Sequence, residues 1–142
     1  KQSRWVDKMA KTFKLEIITP EKVVYSDSVQ SISADGTEGS FGILADHAPL
    51  ITELKTSILT VNDANNRTIR LAIYRGFLEV MANNVVVLSD VCVKEGEVNV
   101  EKAHAEKDAA EKTLSGGGSA EEKEKALSIL GRANTWLKLA NK

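Results

Sequence analysis

The sequence predicts a mainly β fold with an α appendage: an N-terminal antiparallel β-sandwich or barrel, followed by a C-terminal two-helix antiparallel hairpin. Three observations predict it. From Phe13 to Val93 the chain runs in short, β-branched, alternating segments with turn residues between them. After Gly96 the composition shifts to Ala, Glu and Lys, which are strong helix formers. Gly116-Gly117-Gly118 then divides that helical stretch, because consecutive glycines lose too much backbone entropy to stay helical.

Taken in order, Phe13-Lys14-Leu15-Glu16-Ile17 alternates strictly, as a strand with one buried face should. Thr19-Pro20-Glu21-Lys22 reads as a turn with Pro at its second position. Val23-Val24-Tyr25 and then Val29 and Ile32 continue the β pattern. Gly36, Gly39 and Gly42 surround Phe41, Ile43 and Leu44, and Asp46-His47-Ala48-Pro49 breaks that short strand. Leu50 to Leu54 and Ser57 to Val61 are further candidates, and Asn62 to Asn66 is a polar tip. Arg67 to Tyr74, Phe77 to Val80 and Val85 to Leu88 complete the series. Gly76 is expected to separate the first two, and Asn83-Asn84 to form the hairpin turn before the third. About nine short strands at this spacing point to an antiparallel sandwich or barrel.

The helical part is expected over Val100 to Leu114 and from Ala120 onward, with Glu121 and Glu122 in the first turn, as the helix dipole favours. Ala126, Leu130, Ala133, Leu137 and Ala140 form a narrow seam for a facing helix, which Leu127, Ile129 and Trp136 widen. The expected division is therefore residues 11–96 as the β domain and 97–142 as the helical domain. Residues 1–10 are expected to hold a remnant of the expression vector and a native start at Met9-Ala10.

Composition bounds function. Lys plus Arg total 19 against 20 Asp plus Glu, a net charge of −1, which argues against a nucleic-acid binder. No apolar run approaches the roughly 20 residues of a membrane helix, so direct membrane insertion is not expected. Asp46 and His47 together invite a general-base reading, against the simpler one of a corner that presents a surface to a partner. Cys92 could act as a nucleophile with His47 or His104, but its place between Val91 and Val93 suits a buried, inert thiol. There is no metal spacing and no phosphate loop, so no enzyme and no cofactor are predicted. Lys123, Lys125, Arg132 and Lys138 read either as a solvated face or as a basic strip for an acidic partner.

Gly39-Ser40-Phe41-Gly42-Ile43-Leu44 with His47-Ala48-Pro49-Leu50, and Gly76-Phe77-Leu78-Glu79-Val80 with Val86-Val87-Leu88-Ser89-Asp90, resemble the signature blocks of the F-type ATP synthase epsilon subunit. Ile18-Thr19-Pro20-Glu21 and Val23-Val24-Tyr25-Ser26 fit as well. The resemblance implies a non-catalytic rotor part that joins the gamma subunit to the membrane c-ring. Its C-terminal helices would restrain ATP hydrolysis by reaching into the alpha/beta catalytic head. It places Glu38, Gly39 and Ser40 toward the c-ring, and Thr19, His47 and Thr52 toward gamma. The location it implies is peripheral, on the cytoplasmic face of the bacterial plasma membrane. Some members bind ATP through a motif of the form Ile/Leu-Asp-x-x-Arg-Ala. Its best register here ends in Glu122, Lys125 and Ala126, with Lys where Arg would grip a phosphate bidentately, so ATP is at most a weak regulatory ligand. The alternative reading is an unrelated interaction adaptor on the same sandwich-plus-hairpin plan.

Overall fold

A computed structural model describes residues 11–141, so the expected start at Met9-Ala10 and the segment before it lie outside the described residues. The strands are β1 (Phe13–Ile18), β2 (Val23–Gly36), β3 (Gly39–Leu44), β4 (Leu50–Leu54), β5 (Ser57–Asp63), β6 (Thr68–Met81) and β7 (Asn84–Lys94). After a 3₁₀ turn at Glu95–Glu97, the helices are α1 (Val100–Ser115) and α2 (Ala120–Asn141).

The β-sandwich-plus-hairpin expectation is met, but with seven strands rather than about nine. The difference lies in β2 and β6, each 14 residues long where two shorter strands were expected. Both serve two sheets. β2 pairs with β1 through Val29 and then with β5 and β3; β6 pairs with β5 up to Ile73 and with β4 from Gly76. β1 also lies parallel to β7 and antiparallel to β2, which nearly closes the structure on itself.

Gly76 does not end a strand. The crossing of β6 from sheet to sheet happens beside it, at Arg75, whose φ of 49° is left-handed. Core-facing residues are Leu71 and Ile73 before that point and Leu78 and Val80 after it, so the inward parity reverses. Ser89, buried on β7, supports the crossing: the Tyr74 N–H donates to its Oγ at 3.2 Å, and that hydroxyl lies 3.1 Å from the Tyr74 carbonyl. Gly76 is needed because a Cβ there would sit 2.3 Å from the Leu88 carbonyl oxygen. The next turn is shifted by one residue from expectation. Ala82 and Asn83 occupy it with φ of 49° and 66°, and Met81 pairs with Asn84. Two positive φ values match the twist of the flanking strands.

The sandwich core is Phe13, Leu15, Ile17, Val29, Ile32, Ile43, Leu54, Leu59, Val61 and the inward residues of β6 and β7. A second, smaller cluster joins Ala72 and Tyr74 of β6 to Ala103 of α1 and Trp136 and Leu139 of α2. The helices therefore pack on the back of β6, ahead of Arg75. α2 begins in a capping box, with the Ser119 N–H donating to Glu122 at 2.9 Å and the Glu122 N–H to Ser119 Oγ at 3.1 Å. Within the expected seam Ala126 and Ala133 are buried and Leu130, Leu137 and Ala140 are half-buried. Leu127 does not widen it: the side chain points to solvent and is 59% exposed. The heavier contact, Trp136 with Leu139, faces the sheet instead.

Candidate partner interface

Strand pairing builds an outward face opposite the core on β1, β7, β6 and β4. In one row Ile18 neighbours Leu88, Leu88 neighbours Phe77, and Phe77 neighbours Glu53. In the next row Glu16, Val86, Glu79 and Ile51 lie side by side. Ile51, Phe77 and Leu88 are 73%, 54% and 52% exposed, and Met81 extends the patch at 58%. A groove of about 510 Å³ opens here, lined by Ile18, Thr19, Pro20, Glu53, Phe77 and Leu88 among others. Isolated exposed apolar side chains are ordinary, but neighbouring ones on β4, β6 and β7, continued by half-buried Ile18 on β1, make this face a candidate for contact with a partner. Arg75 and Asp90 close one rim with an exposed ion pair at 3.3 Å, which contributes little to stability.

The residues predicted from sequence do not form one cluster. Thr19 lines the groove. Thr52 pairs with buried Leu78 and shares the inward parity of Leu54, so its strand neighbours Ile51 and Glu53 occupy the outer face in its place. His47 lies beyond the other end of β4, its Nδ1 2.7 Å from the Ala48 carbonyl oxygen. The corner that carries it is clasped to the β6–β7 turn: the Asp46 N–H donates to Asn83 Oδ1 at 2.6 Å, and Asn83 Nδ2 donates to Asp46 Oδ1 at 2.9 Å. That amide, helped by Lys11 at 3.3 Å, holds the Asp46 carboxyl below its usual range. Asp46 is thus engaged with Asn83 and Lys11 rather than orienting His47.

Glu38 sits exposed at the tip of the β2–β3 hairpin, next to Gly39, whose φ of 132° excludes most side chains. Ser40 donates to Asp35 at 2.6 Å, and the Thr37 N–H donates to the Glu53 carbonyl at 3.1 Å. The tip is thereby fixed to the strand end that also borders the groove. Ile51, Phe77 and Leu88 were not singled out from sequence. The signal was there, since Phe77-Leu78 and Val86-Val87-Leu88 break the apolar/polar alternation and so require cover on both faces.

On the helical side, Arg132 is set apart from the other three cations. It donates to Glu106 of α1 at 2.9 Å and lies 5.0 Å from the Tyr74 ring centroid, while the Tyr74 hydroxyl is 2.5 Å from Ser128 Oγ. This one residue ties α2 to both α1 and the sheet. Lys125 and Lys138 are exposed and Lys123 half-exposed, so the four do not make a continuous strip. Glu122, Lys125 and Ala126 line a shallow groove between the helices. Glu122 is committed to its cap, whose donors hold its carboxyl low, and Glu106 adds a second carboxylate. Among the described residues Lys125 is the one cation of the groove lining, so a polyphosphate would find little positive charge there.

Cys92 is half-buried and packs against the sandwich core beside Ile73, and burial pushes its thiol up to about 12. His104 is exposed on α1. Alkylation of the native protein by iodoacetamide at pH 8 should therefore be at least about 100-fold slower than for an open thiol. Intact mass spectrometry, with urea restoring full reactivity, checks this. Among the described residues no group of His, Cys, Asp and Glu could hold a metal ion, and no helix is long and apolar enough to cross a membrane.

Residues 12–95 match the family model for the ATP synthase delta/epsilon chain, beta-sandwich domain. The chain is 42% identical over 111 residues to the ATP synthase epsilon chain of Desulforamulus reducens, covering 78% of this chain and 83% of that one. It is 38% identical over 135 residues to the epsilon chain of Syntrophobacter fumaroxidans, covering 94% and 99%. In fold it is similar to a chain of the Euglena gracilis mitochondrial ATP synthase, with a TM-score of 0.80 at 20% identity over 92% of this chain and 82% of that one. The sandwich, the hairpin behind it and these relatives agree: the chain belongs to the ATP synthase epsilon-chain family.

Proposed function

We propose that this protein is a non-catalytic central-stalk subunit that couples the gamma subunit of an ATP synthase to its c-ring. The observation that carries the reading is the exposed apolar face of Ile51, Phe77 and Leu88, which is too contiguous for a surface left in water. Gamma covers this face, with Thr19 in its groove and His47 at its far end, and with Thr52 supporting it from the inner side. The Glu38-Gly39-Ser40 tip, fixed to Glu53 at the border of the same face, meets the c-ring. A subunit so placed works peripherally at the membrane that holds the ring, on the cytoplasmic side in a bacterium. Family membership removes the reading as an unrelated adaptor.

The helical hairpin is the regulatory part of this proposal. Docked as seen here, α2 rests on β6 through Tyr74, Trp136 and Leu139. Released, it would extend toward the alpha/beta head and restrain ATP hydrolysis, with Lys123, Lys125, Arg132 and Lys138 free to meet acidic surface. The two states form an equilibrium that any partner preferring one of them shifts.

Co-purification tests the coupling role. Phe77→Ala removes a central aromatic anchor, a change typically worth 2 kcal/mol or more at an interface, so affinity for gamma should fall at least about 30-fold. Phe77 is exposed, so thermal stability should hardly move. Unchanged affinity measured by titration would take gamma off this face.

A further inference from the structure

We propose that the surface docking on this face is apolar at its centre and basic at its rim, so that carboxylates of this chain steer gamma into place. The inference rests on the reading of this face as the gamma-facing one and adds the chemistry of what gamma must present. Glu53 is beside Phe77, Glu79 is between Ile51 and Val86, and Glu16 is on the other side of Val86. Among the described residues none of these three carboxylates forms an ion pair. Two cations stand near these carboxylates, Lys14 at the row of Asn84 and Met81 and exposed Lys55 just past β4, two residues from Glu53. Arg75, at the groove rim, is matched by Asp90.

The chain as a whole is nearly neutral, with a net charge of −1, so the excess of carboxylate here is a local arrangement. Covering the apolar stripe with a neutral or acidic surface would desolvate or oppose three negative charges with no compensation. Lysine or arginine at the edge of the incoming surface compensates them while its aliphatic stem adds to the apolar contact. Glu16 and Glu53 end their rows, and charges at such a rim act chiefly on the rate of association and its salt dependence, while Glu79 stands inside the face.

The test measures association of full-length chain with purified gamma by stopped flow between 50 and 500 mM NaCl. For the unmodified chain the association rate should fall about tenfold over that range. A Glu16→Gln, Glu53→Gln, Glu79→Gln variant should associate about tenfold more slowly at 50 mM and lose most of the salt dependence. Glu111→Gln, exposed on α1, should behave as the unmodified chain. Binding of gamma with no salt dependence, or faster binding by the triple variant, overturns the basic rim while leaving gamma on this face. Failure of gamma to bind at any salt overturns the gamma-facing reading and this inference with it.

Discussion

Gly76→Ala should lower the unfolding free energy by about 3 kcal/mol, near the upper end of what overpacking costs, and the melting temperature by about 10 °C. The added Cβ would lie 2.3 Å from the Leu88 carbonyl oxygen and 3.3 Å from Ser89 Cα, both of them backbone. A flexible side chain could swing aside, but here a strand must move. On either side the register is pinned by Phe77 against Leu88 and by Tyr74 against Val91, with Ser89 hydroxyl bonds to Tyr74 between them. Separating β6 from β7 at this point also disturbs the Phe77–Leu88 pair at the heart of the proposed interface, so gamma affinity should fall with stability. Gly131→Ala provides the contrast, since an added Cβ there meets nothing within 4 Å and a helix interior favours Ala by about 1 kcal/mol. Urea titration of both variants checks the pair. Equal stability of Gly76→Ala and the unmodified chain would mean that the strands have slack the close approach denies.

Leu139→Ala should release the helical hairpin without unfolding the sandwich. Leu139 is fully buried, and it packs with Trp136, Tyr74 and Ala72 in a cluster separate from the main core. Truncating a buried Leu costs about 3 kcal/mol. Here the loss falls on a small cluster of five buried residues, two of them alanines, Ala72 and Ala103, which leaves chiefly Trp136 and Tyr74 to hold the hairpin. Amide exchange in α2 should therefore speed up by about 100-fold, while Leu15, Leu59 and Leu71 in the sandwich keep their protection. In the assembled complex the released hairpin is the form proposed to restrain hydrolysis, so the ATPase rate should drop. Uniform acceleration of exchange across both parts would show that hairpin and sandwich unfold together, and an unchanged ATPase rate would remove the regulatory role.

The local pattern of the chain was legible because its physics is local. Alternation in Phe13 to Ile17 gives a strand with one dry face, and the buried Phe13, Leu15 and Ile17 are those residues. The change to Ala, Glu and Lys after Gly96, the triple glycine and the acidic first turn of α2 likewise needed no tertiary knowledge. Strand count differs from expectation in β2 and at Gly76 of β6, which looks like a break in one dimension. In three dimensions β6 continues past it, because the left-handed φ of Arg75 lets a strand leave one sheet for another. The turn at Ala82-Asn83 was displaced for a related reason: Ala is a poor advertisement for positive φ, and Asn84 a good one that went unused.

Sequence by itself determined the order of elements, the inward face of β1, the inert setting of Cys92 and the family resemblance. These follow from periodicity, residue type and short motifs, all properties of neighbours along the chain. Only the tertiary structure decided which outward residues stand together. Ile18, Ile51, Phe77 and Leu88 come from four strands and become one face through the pairing of β1, β7, β6 and β4. It also turned Thr52 inward and put Ile51 outward, since a pleat shows neighbouring residues to opposite sides. Arg132, one of four similar cations in sequence, became the tie between α2, α1 and Tyr74 because Glu106 lies 26 residues away along the chain and 2.9 Å away in space. A surface or a tie of this kind is a relation between distant residues, and folding is what brings them into contact.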